Sequence, residues 1–389
     1  MNELTKLEKL IKELCPNGVI YKKTYEIADV SIGEFVHKNK QNPNGKYPVF
    51  NGGTSNTGFY DDYNRTANKI IISARGANAG FVNRIFTNYW SGNSCYTVDV
   101  VAEALDWNFV YYWFKNSEKI LLGEQQKGGI PAVSKKQVEN FRVPVPPLEV
   151  QHEIVRILDN FTELTAELTA ELTARKKQYE YYRDKLLHLD GKHITIQELF
   201  DTRNGFTPSK DNPEFWEDGN LPWFKLDDIN NKGRVLSDSY LHITPKALKK
   251  SGLFPKNSII ISTSATIGEY ALITVPFLCN QRFTCMTVKP IYTEKVDIKY
   301  LMHYCPMLSK YCKEHLNQGN FASVDMKQFM KFEFVIPALD EQKRIVEILD
   351  QFDKLCNDIF DGLPAEIEAR QKQYEYYRDK LLTFKELSE

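Results

Sequence analysis

ARKKQYEYYRDKLL at Ala174–Leu187 returns as ARQKQYEYYRDKLL at Ala369–Leu382, with Lys176 against Gln371 the only difference. Chance does not produce such a match, so the chain is organised by an internal repeat. Upstream, PPLEVQHEIVRILDNF (Pro146–Phe161) pairs with PALDEQKRIVEILDQF (Pro337–Phe352). The offset is 191 residues in the upstream block and 195 in the downstream one, so the second copy holds four extra residues, close to one helical turn. Both segments read as long helices. Ile154, Leu158, Phe161, Leu168, Leu172, Tyr179, Tyr182 and Leu186 follow a four-three spacing interrupted by Thr165 and Arg175. Ile345, Leu349, Phe352, Cys356, Ile359, Leu363, Arg370, Tyr374, Tyr377 and Leu381 repeat it. Two such seams in one chain are expected to pair. Gly362 and Pro364 predict a kink or break in the second, whereas TELTAELTAELTA (Thr162–Ala174) carries the first through without a breaker.

Working outward, residues 1–24 form an N-terminal helix and lead-in. Residues 25–145 and 191–336 are globular, and 146–190 and 337–389 are the repeated helices. NKIIIS (Asn68–Ser73) aligns with NSIIIS (Asn257–Ser262), and YTVDV (Tyr96–Val100) with MTVKP (Met286–Pro290), as strands rich in β-branched residues. Each region carries a helical stretch, Asp106–Leu122 or Asp297–Leu316. Each closes on an alternating strand, Phe141, Val143, Val145 or Phe332, Phe334, Ile336, stopped by proline. The fold class is α+β, and the repeat unit is one mixed α/β region plus one helix.

A chain of 389 residues suits two or three domains. Seven scattered cysteines and a charged, leucine-spaced N-terminus predict reduced thiols, no secretory leader and a cytoplasmic, non-membrane protein. The net charge of −1 conceals an alternation. Residues 1–149 and 191–337 each carry 18 Lys/Arg against 15 Asp/Glu, while 150–190 carry 6 against 8 and 338–389 carry 8 against 13. The globular regions are mildly basic, a weak footprint for phosphate binding, so tight binding to nucleic acid would need a partner's charge.

Catalytic signatures fail. Asn212-Pro213-Glu214-Phe215 approaches a methyltransferase base-holding motif, but Glu214 stands where a second proline is needed and no glycine-rich cofactor loop precedes it. No phosphate-binding Gly-x-x-x-x-Gly-Lys-Ser/Thr loop exists. His303, Cys305, Cys312 and His315 have the residue types for zinc. The first copy has Tyr112, Phe114, Leu121 and Glu124 there, so the expectation is a buried helix and no metal. When repeats diverge in one part and stay identical in another, the identical part is expected to meet a common surface twice. Glu180, Tyr181, Arg183 and Asp184 recur off the seam as Glu375, Tyr376, Arg378 and Asp379, so seam packing alone does not require them. Seam packing or gene recombination is the plainer alternative.

The layout resembles the specificity subunit of type I restriction-modification enzymes along nearly the whole chain. The marks are KLIKELCPNGV (Lys9–Val19), NGFTPSK (Asn204–Lys210), LPWFKLDDI (Leu221–Ile229), the Thr-Ala-Glu-Leu repeats, and the run from Gly128 to Asp159, GGIPAVSKKQVENFRVPVPPLEVQHEIVRILD. The resemblance implies two target recognition domains, each reading half of a split double-stranded DNA sequence. Between them it implies an antiparallel coiled coil with pseudo-twofold arrangement, acting as a ruler. It further implies two methyltransferase subunits that bind S-adenosylmethionine, motor-nuclease subunits for cleavage, and no cofactor or catalysis in this chain.

Base reading is then expected from the loops. Asn51, Thr54, Ser55 and Asn56 in NGGTSNTG, and Arg75 and Asn78 in SARGANAG, are the first region's candidates. In the second they are Arg203, Thr207, Ser209, Lys210, Ser264 and Thr266 of the STSAT loop, and Arg282. Tyr181, Arg183, Tyr376 and Arg378 are the candidates for partner docking. The rival reading is a protein-interaction scaffold with two ligand-binding domains on a helical spacer.

Overall fold

The computed structural model describes residues 3–123, 131–188, 190–317, 322–357 and 362–387. The first repeat segment is a single 40-residue helix, Leu148–Leu187. The second is two helices, Leu339–Asn357 and Leu363–Leu381. Pro364 lies in the first turn of the latter, where its missing N–H costs nothing. Two compact units result: residues 1–167 with 367–389, and residues 168–366. Each unit therefore combines one globular region with helical stretches from both repeat copies.

In the first unit the main antiparallel sheet runs Ala28–Ile32, Cys95–Val100, Lys69–Ser73, Val82–Ile85. A smaller sheet orders Gly58–Tyr60, Tyr47–Phe50, Trp90–Ser91, with the last pair parallel. Ile20–Lys23 and Arg142–Val145 form a two-stranded ribbon. The second unit repeats this plan. Its main sheet runs Phe200–Asn204, Phe283–Val288, Ser258–Ser262, Tyr270–Ile273, with Val235–Leu236 added in parallel at the edge. Its smaller sheet is His242–Ile243, Leu221–Phe224, Leu278–Cys279, and its ribbon is Lys192–Thr195 with Glu333–Ile336. The isoleucine runs are central strands, buried on both faces, which is why they read as continuous apolar sequence.

Two expectations need correction. Ile70 faces Val98, and Ile259 faces Met286. The structural equivalent of Met286 in the first unit is thus Val98, two residues from Tyr96. A two-residue offset preserves the side-chain face, so the apolar pattern gave no warning. The helical stretches are also each broken in two, into Trp107–Asn116 and Glu118–Gly123, and into Ile298–His303 and Cys305–Glu314. Pro306 opens the last helix because it cannot continue the one before. In the first copy Ser117 ends the helix and bonds back to the Trp113 carbonyl. Pro213–Phe215 forms a short 3-10 turn capped by Asn212.

The recurring Gln of the repeat motif fastens helix to globular region. Gln151 is fully buried; its Oε1 accepts from the Asp106 amide at 2.8 Å, and its Nε2 donates to the Ala104 and Pro146 carbonyls at 2.8 and 2.6 Å. Gln342 does the same with the Asp297 amide and the Lys295 and Pro337 carbonyls, at 2.8, 2.9 and 2.8 Å. Asp106 and Asp297 then cap the helices they precede. Eight residues further along the helix, Asp159 accepts from the Tyr112 hydroxyl (2.6 Å) and Arg84 (2.7 Å), while Asp350 pairs with His303 (3.0 Å) and Lys299 (2.8 Å). The His303 and Lys299 bonds hold the Asp350 carboxyl below its ordinary range.

The seam residues turn inward. Ile154, Leu158, Leu168 and Tyr179 of the first copy and Ile345, Leu349, Cys356, Leu363 and Leu381 of the second are buried. Phe161 stacks on Tyr377 at 5.5 Å in one unit, and Phe352 on Tyr182 at 5.9 Å in the other. Each unit thus joins the Phe of one repeat copy to the Tyr of the other. Ile359, assigned to the seam, lies outside the described residues, as do Glu124 and the Gly128–Ile130 start of the quoted run.

Candidate nucleic-acid interface

Three loops meet in the first unit around a tight turn. The Cys95 amide closes the turn onto the Gly92 carbonyl at 3.1 Å, leaving Asn93 and Ser94 at its apex. The Gly92 amide donates to Phe50 O (2.7 Å), and the Ala74 amide to Ser94 O (2.8 Å). The Ser73 hydroxyl donates to Gly53 O (3.2 Å). NGGTSNTG and SARGANAG, separate in sequence, are therefore neighbours across the turn. Asn51 Oδ1 accepts from the Ser94 amide, and a Cβ on Gly92 would lie 2.4 Å from that oxygen, so glycine is what lets Asn51 in. Val133 and Gly76 amides donate to and beside the same strand end, to Ala74 O (2.8 Å) and Pro131 O (2.9 Å) respectively. Thr54, Ser55, Arg75 and Asn78 are exposed on this cluster; Asn51 and Asn56 are half-buried.

The second unit builds the cluster with the same backbone bonds. Phe283 N–H closes a turn onto Asn280 O (3.2 Å), Asn280 N–H donates to Phe224 O (3.1 Å), and Thr263 N–H to Arg282 O (2.9 Å). Val324 and Ala265 amides donate to Thr263 O and Ala322 O at 2.9 and 3.1 Å. Ala265 holds φ of +63° where the first unit has Gly76 at +92°. A side chain there costs about 1 kcal/mol or more, so the loop conformation is enforced by its surroundings. Gln281 and Arg282 form the apex, and the Thr207 hydroxyl donates to Gln281 Oε1. Ser209, Lys210, Thr266 and Arg282 are exposed; Thr207 and Ser264 are half-buried. A depression of about 540 Å³ beside the apex is lined by Thr207, Lys210, Trp216, Trp223, Lys225 and Gln281 among others. Arg203 takes no part in these bonds. Its guanidinium donates to the Ser251 and Gly252 carbonyls and lies 4.1 Å over the Phe254 ring.

Tyr181 and Tyr376 are 62% and 64% exposed, and each packs edge-on against the next tyrosine. Arg183 and Arg378 are drawn down: each bonds the adjacent Asp184 or Asp379 (2.7 and 2.8 Å) and lies 5.7 Å over Tyr179 or Tyr374. Of the zinc-type residues, His303 and Cys312 have other surroundings. His303 pairs with Asp350, and burial pushes the Cys312 thiol up to about 12. All seven cysteines are buried and free. Among the described residues no group of three or more His, Cys, Asp or Glu is placed to hold a metal, and no helix is long and apolar enough to cross a membrane.

Fold and site define a protein with two like-built units whose loop clusters share a backbone arrangement and differ in side chains. The chain belongs to the family described as type I restriction modification DNA specificity domain, which matches residues 16–175 and again 190–369. It is similar to the EcoprrI specificity subunit of Escherichia coli, at 47% identity over 53% of each chain. It therefore spans about half the length of that relative. The E. coli EcoR124I/EcoR124II specificity subunit is 40% identical over 71% of this chain and 70% of that one. A putative type I specificity subunit of Haemophilus influenzae is 31% identical over 98% and 99%. The fold matches the crystal structure of a type I S subunit from M. genitalium, with TM-score 0.63, 18% identity and coverage of 93% and 96%.

Proposed function

We propose that the chain is the DNA-reading subunit of a type I restriction-modification complex, each unit reading one half of a bipartite duplex target. The observation that carries this is the recurrence of one loop cluster, with identical backbone bonds, dressed in different polar side chains: Arg75 and Asn78 in the first, Thr266, Gln281 and Arg282 in the second. A conserved frame with a variable polar rim is what two readers of different sequences require. The seam contacts of Phe161 with Tyr377 and Phe352 with Tyr182 favour an antiparallel pairing of the repeat helices with pseudo-twofold arrangement, serving as a spacer. Tyr181 and Tyr376, equally exposed in equivalent settings, suit docking of two copies of one methyltransferase subunit. Those subunits would bind S-adenosylmethionine, with motor-nuclease subunits joining for cleavage. Such a complex works where the chromosome is, in the cytoplasm.

The test is duplex binding by the chain alone and assembled with its methyltransferase subunits. Because each globular region holds only a small cationic excess, the isolated chain should bind weakly and the complex strongly, with one sequence preferred and affinity falling steeply with salt. A scaffold joining two unrelated ligands would show no sequence preference, which would overturn the proposal.

A further inference from the structure

The turn at the centre of each loop cluster carries an exposed amide residue at the same apex position. Asn93 follows Gly92, whose amide bonds Phe50 O, and precedes Ser94, whose carbonyl receives the Ala74 amide. Gln281 follows Asn280, whose amide bonds Phe224 O, and precedes Arg282, whose carbonyl receives the Thr263 amide. These four bonds make Asn93 and Gln281 structural equivalents. Both are exposed, and both project from a turn pinned on either side by the loops that carry the other candidate residues. We propose that Asn93 and Gln281 are specificity-determining residues, each reading one base pair in the half-site of its own unit. The inference rests on the DNA-reading function proposed above.

The chemistry of Gln281 fits the role. Its Oε1 already accepts the Thr207 hydroxyl, which fixes the side chain and leaves an oxygen lone pair and the amide donors at the free end. A donor beside an acceptor on one planar group matches the adenine edge in the major groove, where N7 accepts and the N6 amino group donates. Lys210, lining the same depression, supplies a cation suited to a flanking phosphate, while Lys225 beside it is paired with Asp227. Asn93 presents the same group on a shorter stem. Held by Thr207 before DNA arrives, the Gln281 side chain loses less freedom on binding.

The experiment measures competition binding of the chain assembled with its methyltransferase subunits, using duplexes substituted one base pair at a time across both half-sites. Gln281→Ala should abolish discrimination at one position of one half-site, a loss of roughly tenfold or more there, while every other position keeps its ratio. Asn93→Ala should do the same at one position of the other half-site. Gln281→Glu should shift the preference at its position toward a base pair offering a donor, as cytosine's amino group does, an effect that loss of a structural contact would not give. Ratios retained at every position, whether affinity is unchanged or uniformly lowered, would overturn the inference, since a phosphate contact weakens all sequences alike. If the unaltered complex shows no preference among duplexes, the DNA-reading function itself fails, a result distinct from failure of these two residues.

Discussion

A buried glutamine that satisfies three backbone groups is costly to remove because those groups lose their partner at a junction that solvent reaches only in part. Gln151→Ala or Gln342→Ala leaves an amide and two carbonyls unpaired at the junction of helix and globular region. Each substitution should lower the stability of its own unit by about 2–4 kcal/mol, read as faster hydrogen exchange at Asp106 or Asp297. Unchanged exchange would show the clamp to be dispensable. Glu153 gives a pH test. Bonded to Arg156 and Lys6, its carboxyl sits at about 2, below its ordinary 4.5. The stabilisation is present in full above the ordinary value and disappears as pH falls through the folded one. Glu153→Gln should therefore cost about 1–2 kcal/mol at neutral pH, with the gap from the unaltered chain closing between pH 4.5 and 2 in denaturant melts. A gap independent of pH would remove the ion pairs from the account. At this scale the sequence was least legible. Arg203 has the residue type for base contact, yet backbone carbonyls and Phe254 hold it. Asn93 and Gln281 went unseen because matching Tyr96 to Met286 set Asn93 opposite Phe283. The two-residue correction that brings it to Gln281 needs the strand register.

Elements were read more fully, because the repeat and the four-three spacing report packing directly. The helix over Thr162–Ala174 runs unbroken, and seam residues from both copies are buried. What spacing could not supply is which seam partner meets which, since Phe161 and Tyr377 are far apart in sequence and belong to different copies. If the helical segments set the spacing of the half-sites, one added Thr-Ala-Glu-Leu unit lengthens the arm by about 6 Å at nearly one full turn. The gap in the methylated motif should grow by about one or two base pairs, and deleting Thr165–Leu168 should shrink it likewise, with both half-sites unchanged. An active variant with an unchanged gap would refute the spacer role. Docking is tested on the same elements. Changing Tyr181 with Arg183 should weaken one methyltransferase site, and changing Tyr376 with Arg378 the other. A chain altered at all four that still recruits two copies would place the docking surface elsewhere.

At the scale of the whole molecule the two units are separable. The core of the first globular region closes within residues 1–167 and 367–389, and that of the second within 168–366. Each loop cluster is assembled by bonds internal to its own unit. Mild positive charge in each globular region fits reading in each, and under the proposed function partner subunits would supply the rest of the affinity. The most direct measurement is the genome-wide map of methylated bases in cells whose chain has residues 25–145 replaced by the equivalent region of another specificity subunit. One half-site should change to that of the donor, while the other half-site and the gap stay as they were. A map in which both half-sites change, or neither does, would contradict two independent readers on one chain.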